Sequence, residues 1–225
     1  RPDLLMLLGD RSEMLAPALA ALPFNIPQAH LYGGKVTEGA IDERVRHALT
    51  KMSHLHFVSC QPYAERVLQM GEEGWRVFNV GLAGLDRIHS HSRSSREELC
   101  REMNLKPAQP FLLVTFHPVT LEPAGQDVQV AALLQALEQS GFAVVATYPN
   151  ADAGGLRIAA SLEAFAARNP RSVRLLRNAG TRLYFDLLAT AAAMVGNSSS
   201  GISEAPSFEL PVVNIGSRQD GAIKA

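Results

Sequence analysis

Residues 110–120 read Pro-Phe-Leu-Leu-Val-Thr-Phe-His-Pro-Val-Thr. The run from Phe111 to Phe116 is almost continuously apolar and rich in β-favouring residues, and a proline lies on each side of it. Such a run is typical of a strand that is buried on both faces, as in the parallel sheet of an α/β protein. We therefore expect a sheet to open at Phe111, with His117 at the carboxyl end of its first strand.

Similar short apolar runs lie on both sides of this stretch and alternate with longer segments of helical period. The other predicted strands are Leu4 to Leu8, Ala29 to Tyr32, His56 to Val58, Val77 to Asn79, Ala143 to Thr147, Val173 to Leu175, Met194 to Gly196 and Val212 to Ile215. The predicted helices are Ser12 to Ala21, Asp42 to Met52, Pro62 to Gly71, Val128 to Ser140, Leu156 to Asn169, Thr181 to Ala192 and Gly201 to Phe208. This alternation predicts α/β architecture with parallel sheets covered by helices.

The polar stretch from His89 to Lys106 interrupts the alternation. We therefore predict an N-terminal α/β domain over residues 1–88, a linker over residues 89–110 and a second α/β domain over residues 111–225. The chain begins Arg-Pro-Asp, without an initiator methionine or a signal sequence, and we interpret it as cut from a longer protein.

Composition excludes several classes of function. The 225 residues are 47% hydrophobic and 19% charged, with 21 basic and 22 acidic side chains, so nothing favours a nucleic-acid or membrane-surface partner. The two cysteines, Cys60 and Cys100, form neither a zinc motif nor a disulfide framework. No apolar run approaches the roughly 20 residues that cross a bilayer. We expect a cytoplasmic protein without a membrane span or a metal site.

Charged side chains follow the first two predicted strands, where parallel sheets bind ligands. The first strand ends in Gly9-Asp10-Arg11, which is equally consistent with a turn. After the second strand, Gly33 and Gly34 allow close approach of the backbone to a ligand. Asp42 and Glu43 then begin a helix, where the helix dipole favours acids even without a ligand.

The same helix carries the basic side chains of Arg46, His47, Lys51 and His54. For at least half of them we expect a place on a solvated helix face. In the second half of the chain, His117 lies outside any helix at the end of a buried strand, which favours a ligand-binding role. Asn150 and Asp152 follow the next strand and can bind a ligand or cap the helix behind them.

The most specific local feature is Gly-Asn-Ser-Ser-Ser-Gly-Ile-Ser-Glu-Ala-Pro at residues 196–206. Here a strand passes through small residues into a helix whose first amides are expected to be unpaired, which predicts an anion site. A serine cap without a ligand is the alternative. Glu204 would repel an adjacent phosphate and is better suited to accept hydrogen bonds from a ribose diol. Arg218 is a candidate phosphate partner.

Together these motifs resemble the hydrolysing UDP-N-acetylglucosamine 2-epimerases of sialic acid and related nonulosonic acid synthesis. The resemblance also covers Thr37-Glu38-Gly39-Ala40-Ile41-Asp42-Glu43, Arg46-His47-Ala48, Lys51-Met52-Ser53-His54 and Pro211-Val212-Val213-Asn214-Ile215-Gly216. It implies a GT-B fold, in which two Rossmann-like domains with parallel sheets face each other across a cleft, and a chain that lacks both ends of the family sequence.

The resemblance assigns residues to three roles. It implies UDP binding by His117, Asn197, Ser198, Ser199, Ser200, Gly201, Glu204 and Arg218. It implies sugar chemistry by Asp10, Asp42 and Arg11, with Glu38 and Glu43 as reserve acids. Other substrate contacts are expected from Gly33, Gly34, His47, Asn150 and Asp152.

Two departures from the family pattern affect these roles. Lys35 stands where the family usually has Glu, and Tyr32 stands where some relatives instead carry their acid. Asp220, Gly221 and Ala222 follow Gln219, where members often have a basic residue, Gly and Arg. The first departure removes one possible acid-base group, and the second affects phosphate contacts.

The implied reaction converts UDP-N-acetylglucosamine, or a 4-acetamido-6-deoxy relative, to UDP and the free 2-epimeric sugar of the N-acetylmannosamine type. The resemblance implies elimination to a glycal followed by rehydration, without a cofactor or a metal. It also implies a hydrolase that acts on O-glycosyl compounds and forms a homodimer. The alternatives are a non-hydrolysing epimerase, a GT-B glycosyltransferase and a nucleotide-sugar binding protein without catalysis.

Overall fold

Two parallel sheets organise the computed structural model, which describes residues 2–224. The first unit comprises the described residues up to Asp86 together with Asp220–Ala222. The second comprises Arg87–Gln219 with Ile223 and Lys224. The predicted α/β class with parallel sheets is confirmed. None of the helices within residues 2–224 has the length and hydropathy that a membrane span requires.

The first sheet has the order β1-β2-β3-β4, and all its neighbours are parallel. Its strands are β1 (Leu5–Leu8), β2 (Gln28–Leu31), β3 (Leu55–Val58) and β4 (Val77–Asn79). The helices of this part of the chain are α1 (Leu15–Ala21), α2 (Asp42–Met52), α3 (Gln61–Gln69) and α4 (Ala83–His89). Leu7, Ala18 and Leu49 pack β1, α1 and α2 together.

The second sheet has the order β7-β6-β5-β8-β9 and is also parallel. Its strands are β5 (Phe111–Thr115), β6 (Ala143–Thr147), β7 (Val173–Leu176), β8 (Ala193–Gly196) and β9 (Val212–Asn214). Its helices are α5 (Arg96–Glu102), α6 (Gln126–Ser140), α7 (Gly155–Arg168), α8 (Gly180–Thr190) and α9 (Ser200–Ser203). All five residues of β5 are buried, as a central parallel strand requires.

The core of the second unit lies where β5 and its neighbours meet α6 and α7. Val114 and Phe116 pack in one cluster with Leu133, Ile158 and Leu162. Full burial of one such side chain contributes about 1.5–3 kcal/mol, so this cluster fixes the strand from which the loop of His117 departs.

The order of the second sheet places the loops that follow β5 and β8 side by side. The chain leaves β5 for β6 and β7 on one side and then returns for β8 and β9 on the other. Ligands of such sheets bind at this switch point, outside the carboxyl ends of the two central strands. The loops that begin at His117 and Asn197 occupy this place.

The segment 89–110, which is predicted as a linker, contains helix α5. Ser95 and Glu98 form a capping box at its start, and Arg96 donates hydrogen bonds to the carbonyls of Pro107 (2.7 Å) and Gln109 (3.1 Å). Because the helix has only seven residues and little apolar periodicity, the hydrophobic pattern does not reveal it. The capping box is the sequence signal that predicts it.

The helix predicted from Gly201 to Phe208 is not continuous. It consists of the single turn α9 and a 3-10 turn at Ala205–Phe208. Pro206 explains the break, because it has no amide hydrogen to continue the helical pattern. Similarly, the helix predicted from Ser12 begins as a 3-10 turn at Ser12–Met14 before α1.

Gly196 ends β8 in a backbone conformation that only glycine adopts readily. Its φ is +144°, and a Cβ atom there would lie 1.9 Å from the carbonyl oxygen of Thr115. We expect Gly196→Ala to lower the free energy of unfolding by at least about 1–3 kcal/mol, the cost of such backbone strain. Urea unfolding measures the change.

Gly141→Ala is the matched control, because Gly141 has a φ of +72° and nothing within 4 Å of the added Cβ. This variant has conformational strain without a clash and should lose less stability. Equal losses in the two variants would show that the contact with Thr115 has no effect.

Candidate active site

In the first unit, the Asp10 carboxylate is held by a buried arginine. Arg46 of α2 donates from Nε to Asp10 Oδ2 at 3.1 Å, and its Nη2 atom donates to the same oxygen. The Arg46 side chain is 1% exposed and that of Asp10 31% exposed. Asp10 is therefore both fixed in position and accessible to a ligand.

Arg46 also organises the loop after β2. Its Nη1 donates to the carbonyl of Lys35 at 2.7 Å, and its Nη2 donates to the hydroxyl of Thr37 at 3.0 Å. Arg46 therefore does not belong to the solvated face, which was expected for at least half of these side chains; Lys51 and His54 are exposed. One guanidinium ties this loop to the turn that carries Asp10, because its fork of donors serves several acceptors at once.

His30 of β2 also contacts the turn that carries Asp10, through the carbonyl of Gly9. It is fully buried, with Nε2 2.7 Å from the carbonyl oxygen of Gly9 and Nδ1 3.1 Å from the hydroxyl of Thr50. Burial lowers the pKa of His30 to about 4, so the ring is neutral at pH 7. The carbonyl can only accept, so we assign the single ring proton to Nε2.

The glycine pair after β2 packs against the protein itself. A Cβ at Gly33 would lie 2.8 Å from Thr50 Oγ1, and one at Gly34 would lie 2.3 Å from the carbonyl oxygen of Tyr63. Arg66 donates to the Gly34 carbonyl at 2.7 Å. These contacts account for both glycines without a ligand.

The acids near the start of α2 have different surroundings. Asp42 is half-buried, whereas Glu38 is exposed. Glu43 Oε2 accepts from the amide of Thr37 at 2.7 Å, and its Oε1 lies 3.9 Å from His47 Nε2. Burial keeps the pKa of His47 below its usual value. Glu43 therefore has a structural contact that Glu38 does not share.

Three further residues flank Asp10 and the glycine pair in sequence. Arg11 is half-buried and its Nη2 lies 3.3 Å from the carboxylate of Glu13. Tyr32 has a φ of +69°, and its hydroxyl accepts from the amide of Ala83 at 3.1 Å. Lys35 contributes its backbone carbonyl to the contacts of Arg46.

In the second unit, Asn197 joins the loops that leave β5 and β8. Its Oδ1 accepts from the amide of His117 at 2.7 Å, and its Nδ2 donates to the carbonyl of His117 at 2.8 Å. Asn197 is fully buried. The Asn197 side chain, which is expected to bind UDP, thus connects the two loops and fixes the backbone of His117.

The loop after β6 orients the ring of His117. The amide of Asn150 donates to His117 Nδ1 at 3.1 Å, so in the neutral ring the proton lies on Nε2. The Asn150 side chain in turn donates to the carboxylate of Asp152. His117 therefore has the tautomer that donates a hydrogen bond from Nε2.

The serine loop, residues 197–201, is held by hydrogen bonds within itself. The amide of Ser200 is 3.3 Å from Ser198 Oγ, and the amide of Gly201 donates to the carbonyl of Ser198 at 3.2 Å. The expectation of unpaired amides is therefore wrong for these two groups, because the loop curls back on itself. Ser199 is exposed, whereas Ser200 is buried.

Arg218 is buried beside the serine loop. Its Nη1 lies 3.3 Å from the carbonyl oxygen of Asn197, and Gln219 Nε2 donates to the same oxygen at 3.1 Å. Glu204 is half-buried just after α9. The second unit thus brings together the predicted residues His117, Asn150, Asp152, Asn197 to Gly201 and Arg218, all of which lie at or next to the switch point.

Sequence comparison gives a family. The model described as UDP-N-acetylglucosamine 2-epimerase matches residues 1–225. The GDP/UDP-N,N'-diacetylbacillosamine 2-epimerase (hydrolyzing) of Campylobacter jejuni is 41% identical over 100% of this chain and 59% of that protein. The UDP-N-acetylglucosamine 2-epimerase of Neisseria meningitidis is 34% identical over 97% of this chain and 56% of that protein. The chain therefore spans less than two thirds of the length of these relatives.

Solved structures show the same fold. UDP-GlcNAc 2-epimerase from Neisseria meningitidis bound to UDP-GlcNAc matches with a TM-score of 0.76 at 18% identity, over 95% of this chain and 59% of that chain. The Methanocaldococcus jannaschii enzyme in complex with UDP-GlcNAc and UDP gives 0.76 at 17% identity, over 95% and 60%. These matches confirm the predicted GT-B-like fold class. The family model and the relatives confirm the resemblance seen in the motifs. Because the family model matches the whole chain, the protein belongs to the UDP-N-acetylglucosamine 2-epimerase family.

Proposed function

We propose that the full-length protein is a hydrolysing 2-epimerase, which converts a UDP-linked 2-acetamido sugar to UDP and the free 2-epimer. The observation that carries this proposal is the Asp10 carboxylate, 31% exposed and held by the buried Arg46. A carboxylate that is fixed but accessible can exchange a proton with a ligand. Family membership supports the reaction in which it would do so.

The chemistry requires departure of the nucleotide. The C2 hydrogen of the sugar is not adjacent to a carbonyl group, so its removal alone is very costly. In an elimination, a base takes the C2 proton, the C–H electrons form the C1=C2 bond of a glycal, and UDP leaves with the electrons of the C1–O bond. Water then adds at C1, and C2 receives a proton on the opposite face.

We assign the proton transfers to Asp10 and Asp42, with Arg11 beside the first. A reserve acid is needed because Lys35 occupies the position where the family usually has Glu. Glu38 suits this role better than Glu43, because the Glu43 carboxylate already accepts from the Thr37 amide. General acid-base catalysis of this kind typically contributes about 10²- to 10⁴-fold in rate.

We assign the nucleotide to the second unit. His117 Nε2–H, the hydroxyls of Ser198 and Ser199 and the guanidinium of Arg218 supply donors for the charge that grows on the departing diphosphate. Glu204 accepts hydrogen bonds from the ribose hydroxyls. The contacts among Asn197, His117 and Arg218 support this assignment, because they hold these donors in place before a ligand arrives.

The relatives favour one sugar over another. The Campylobacter jejuni protein and the UDP-N,N'-diacetylbacillosamine 2-epimerase (hydrolyzing) of Legionella pneumophila are 41% and 40% identical to this chain. The Neisseria meningitidis protein named for UDP-N-acetylglucosamine is 34% identical. We therefore propose UDP-N,N'-diacetylbacillosamine as the preferred substrate, with UDP-N-acetylglucosamine as the alternative.

Product analysis tests the proposed reaction. The full-length protein is incubated with each nucleotide sugar, and the products are identified by NMR. We expect equal amounts of UDP and a free sugar inverted at C2. An epimer still linked to UDP would indicate a non-hydrolysing epimerase, and turnover only with an acceptor would indicate a glycosyltransferase. Bound UDP without any product would indicate a nucleotide-sugar binding protein.

UDP binding depends on the second unit if these assignments are correct. We expect Ser199→Ala and Arg218→Ala each to weaken UDP binding by about ten- to a hundredfold, because hydrogen bonds to charged groups contribute about 1.5–3 kcal/mol. Titration calorimetry measures the affinities. Ser207→Ala is the control, because Ser207 is an exposed serine on the turn after α9. Unchanged affinity in both test variants would refute the phosphate assignment.

A further inference from the structure

The serine loop is fixed at both ends. At its first residue, the Asn197 side chain bonds to the backbone of His117, and the Asn197 carbonyl accepts from Arg218 and Gln219. Near its other end, Tyr184 of α8 donates from its phenol to Ser200 Oγ at 2.8 Å. Ser198 and Ser199, two of the residues that we assign to the diphosphate, lie between these two attachments.

The surroundings of Tyr184 keep its hydroxyl protonated. Burial raises the pKa of Tyr184, and the nearby charge of Glu204 raises it further. The protonated phenol is the donor in the bond to Ser200 Oγ.

We propose that Tyr184 is a positioning residue for nucleotide binding, which acts through Ser200 to hold the serine loop in the conformation that receives a diphosphate. This inference rests on the proposed function and adds to it a residue outside the loop. A segment of four small residues loses conformational freedom when it binds a ligand. The bond from Tyr184 removes part of that freedom in advance and so favours binding.

A double-mutant cycle on UDP affinity tests whether Tyr184 acts through Ser200. We expect Tyr184→Phe to weaken UDP binding about three- to tenfold, the effect of losing a neutral hydrogen bond, and Ser200→Ala to weaken it at least as much. The double variant should bind UDP as tightly as Ser200→Ala alone. If the fold-changes of the single variants multiply in the double variant, the two residues act independently and the inference is wrong.

Two controls separate positioning from general packing. Tyr148→Phe also removes a phenol hydroxyl, which donates to Glu163 on the surface of the second unit, and it should leave UDP affinity unchanged. Uridine has no phosphate, so Tyr184→Phe should not change the affinity for uridine. An equal loss for uridine and UDP would show a general disturbance of the unit and would contradict the inference.

The same measurements distinguish this inference from the proposed reaction. A full-length protein that does not bind UDP would overturn both. A protein that binds UDP and shows the non-additive cycle, but releases no 2-epimer, would support the role of Tyr184 and contradict the proposed function.

Discussion

We expect Asp10→Asn to lower kcat for release of UDP and free sugar by about 10²- to 10⁴-fold, the usual contribution of one general acid or base. Asparagine has nearly the same shape, and its amide oxygen can still accept from Arg46, so the turn after β1 should keep its position. Its amide nitrogen cannot exchange the proton that the elimination requires. The loss should therefore appear in kcat, measured from initial rates of UDP release.

UDP affinity should be unchanged in Asp10→Asn, because the residues that we assign to the nucleotide belong to the second unit. Asp127→Asn is the matched control: Asp127 is an exposed residue of α6 that pairs with Arg157 at 3.5 Å on the surface. It should keep full activity. A kcat within threefold of the unmodified protein would remove Asp10 from the proposed mechanism.

Arg46→Met should cause a large loss of stability. Removing one partner of a buried ion pair costs about 3–5 kcal/mol, because the other charge is left uncompensated. Here 31% of the Asp10 side chain remains exposed and hydrated, so we expect about 3 kcal/mol, the lower end of that range. The carbonyl of Lys35 and the hydroxyl of Thr37 also lose their donor. Urea unfolding measures the change.

Arg44→Met is the control for this effect. Arg44 lies two positions earlier on α2 and is exposed, so its replacement should change the free energy of unfolding by less than about 0.5 kcal/mol. Adding Asp10→Asn to Arg46→Met should restore part of the lost stability, because the uncompensated charge is then removed. A loss below about 1 kcal/mol in Arg46→Met would contradict the structural role of the pair.

The sequence predicts the sheets well because short apolar runs between helical segments are typical of buried parallel strands. The ranges for β4, β6 and α2 agree with the structure at both ends. The other predicted strands differ by one residue at one end, except β2, which differs by one residue at each end. The apolar pattern does not predict helices α4 and α5, since each has only seven residues and little periodicity. The same pattern does not predict the break after α9, which Pro206 causes. Local pattern therefore predicts the buried elements better than the short polar ones.

The sequence indicates loops at the site but not the contacts that organise them. Arg46 lies 36 residues from Asp10, and Asn197 lies 80 residues from His117, so no local spacing relates the partners. The pattern does not single out His30, because it lies inside a predicted strand, although a histidine between Ala29 and Leu31 is itself a signal. Tyr184 was missed because its ring fits the apolar face of α8. Tertiary packing decides these roles.

Deuterium incorporation from heavy water tests the proposed chemistry most directly. The full-length protein is incubated in heavy water with UDP-N,N'-diacetylbacillosamine and with UDP-N-acetylglucosamine, and the free sugar is examined by NMR and mass spectrometry. Elimination and rehydration predict one deuterium at C2 of the inverted sugar, released together with UDP. A free sugar that keeps its original C2 hydrogen, or its original configuration at C2, would contradict proton transfer at that carbon.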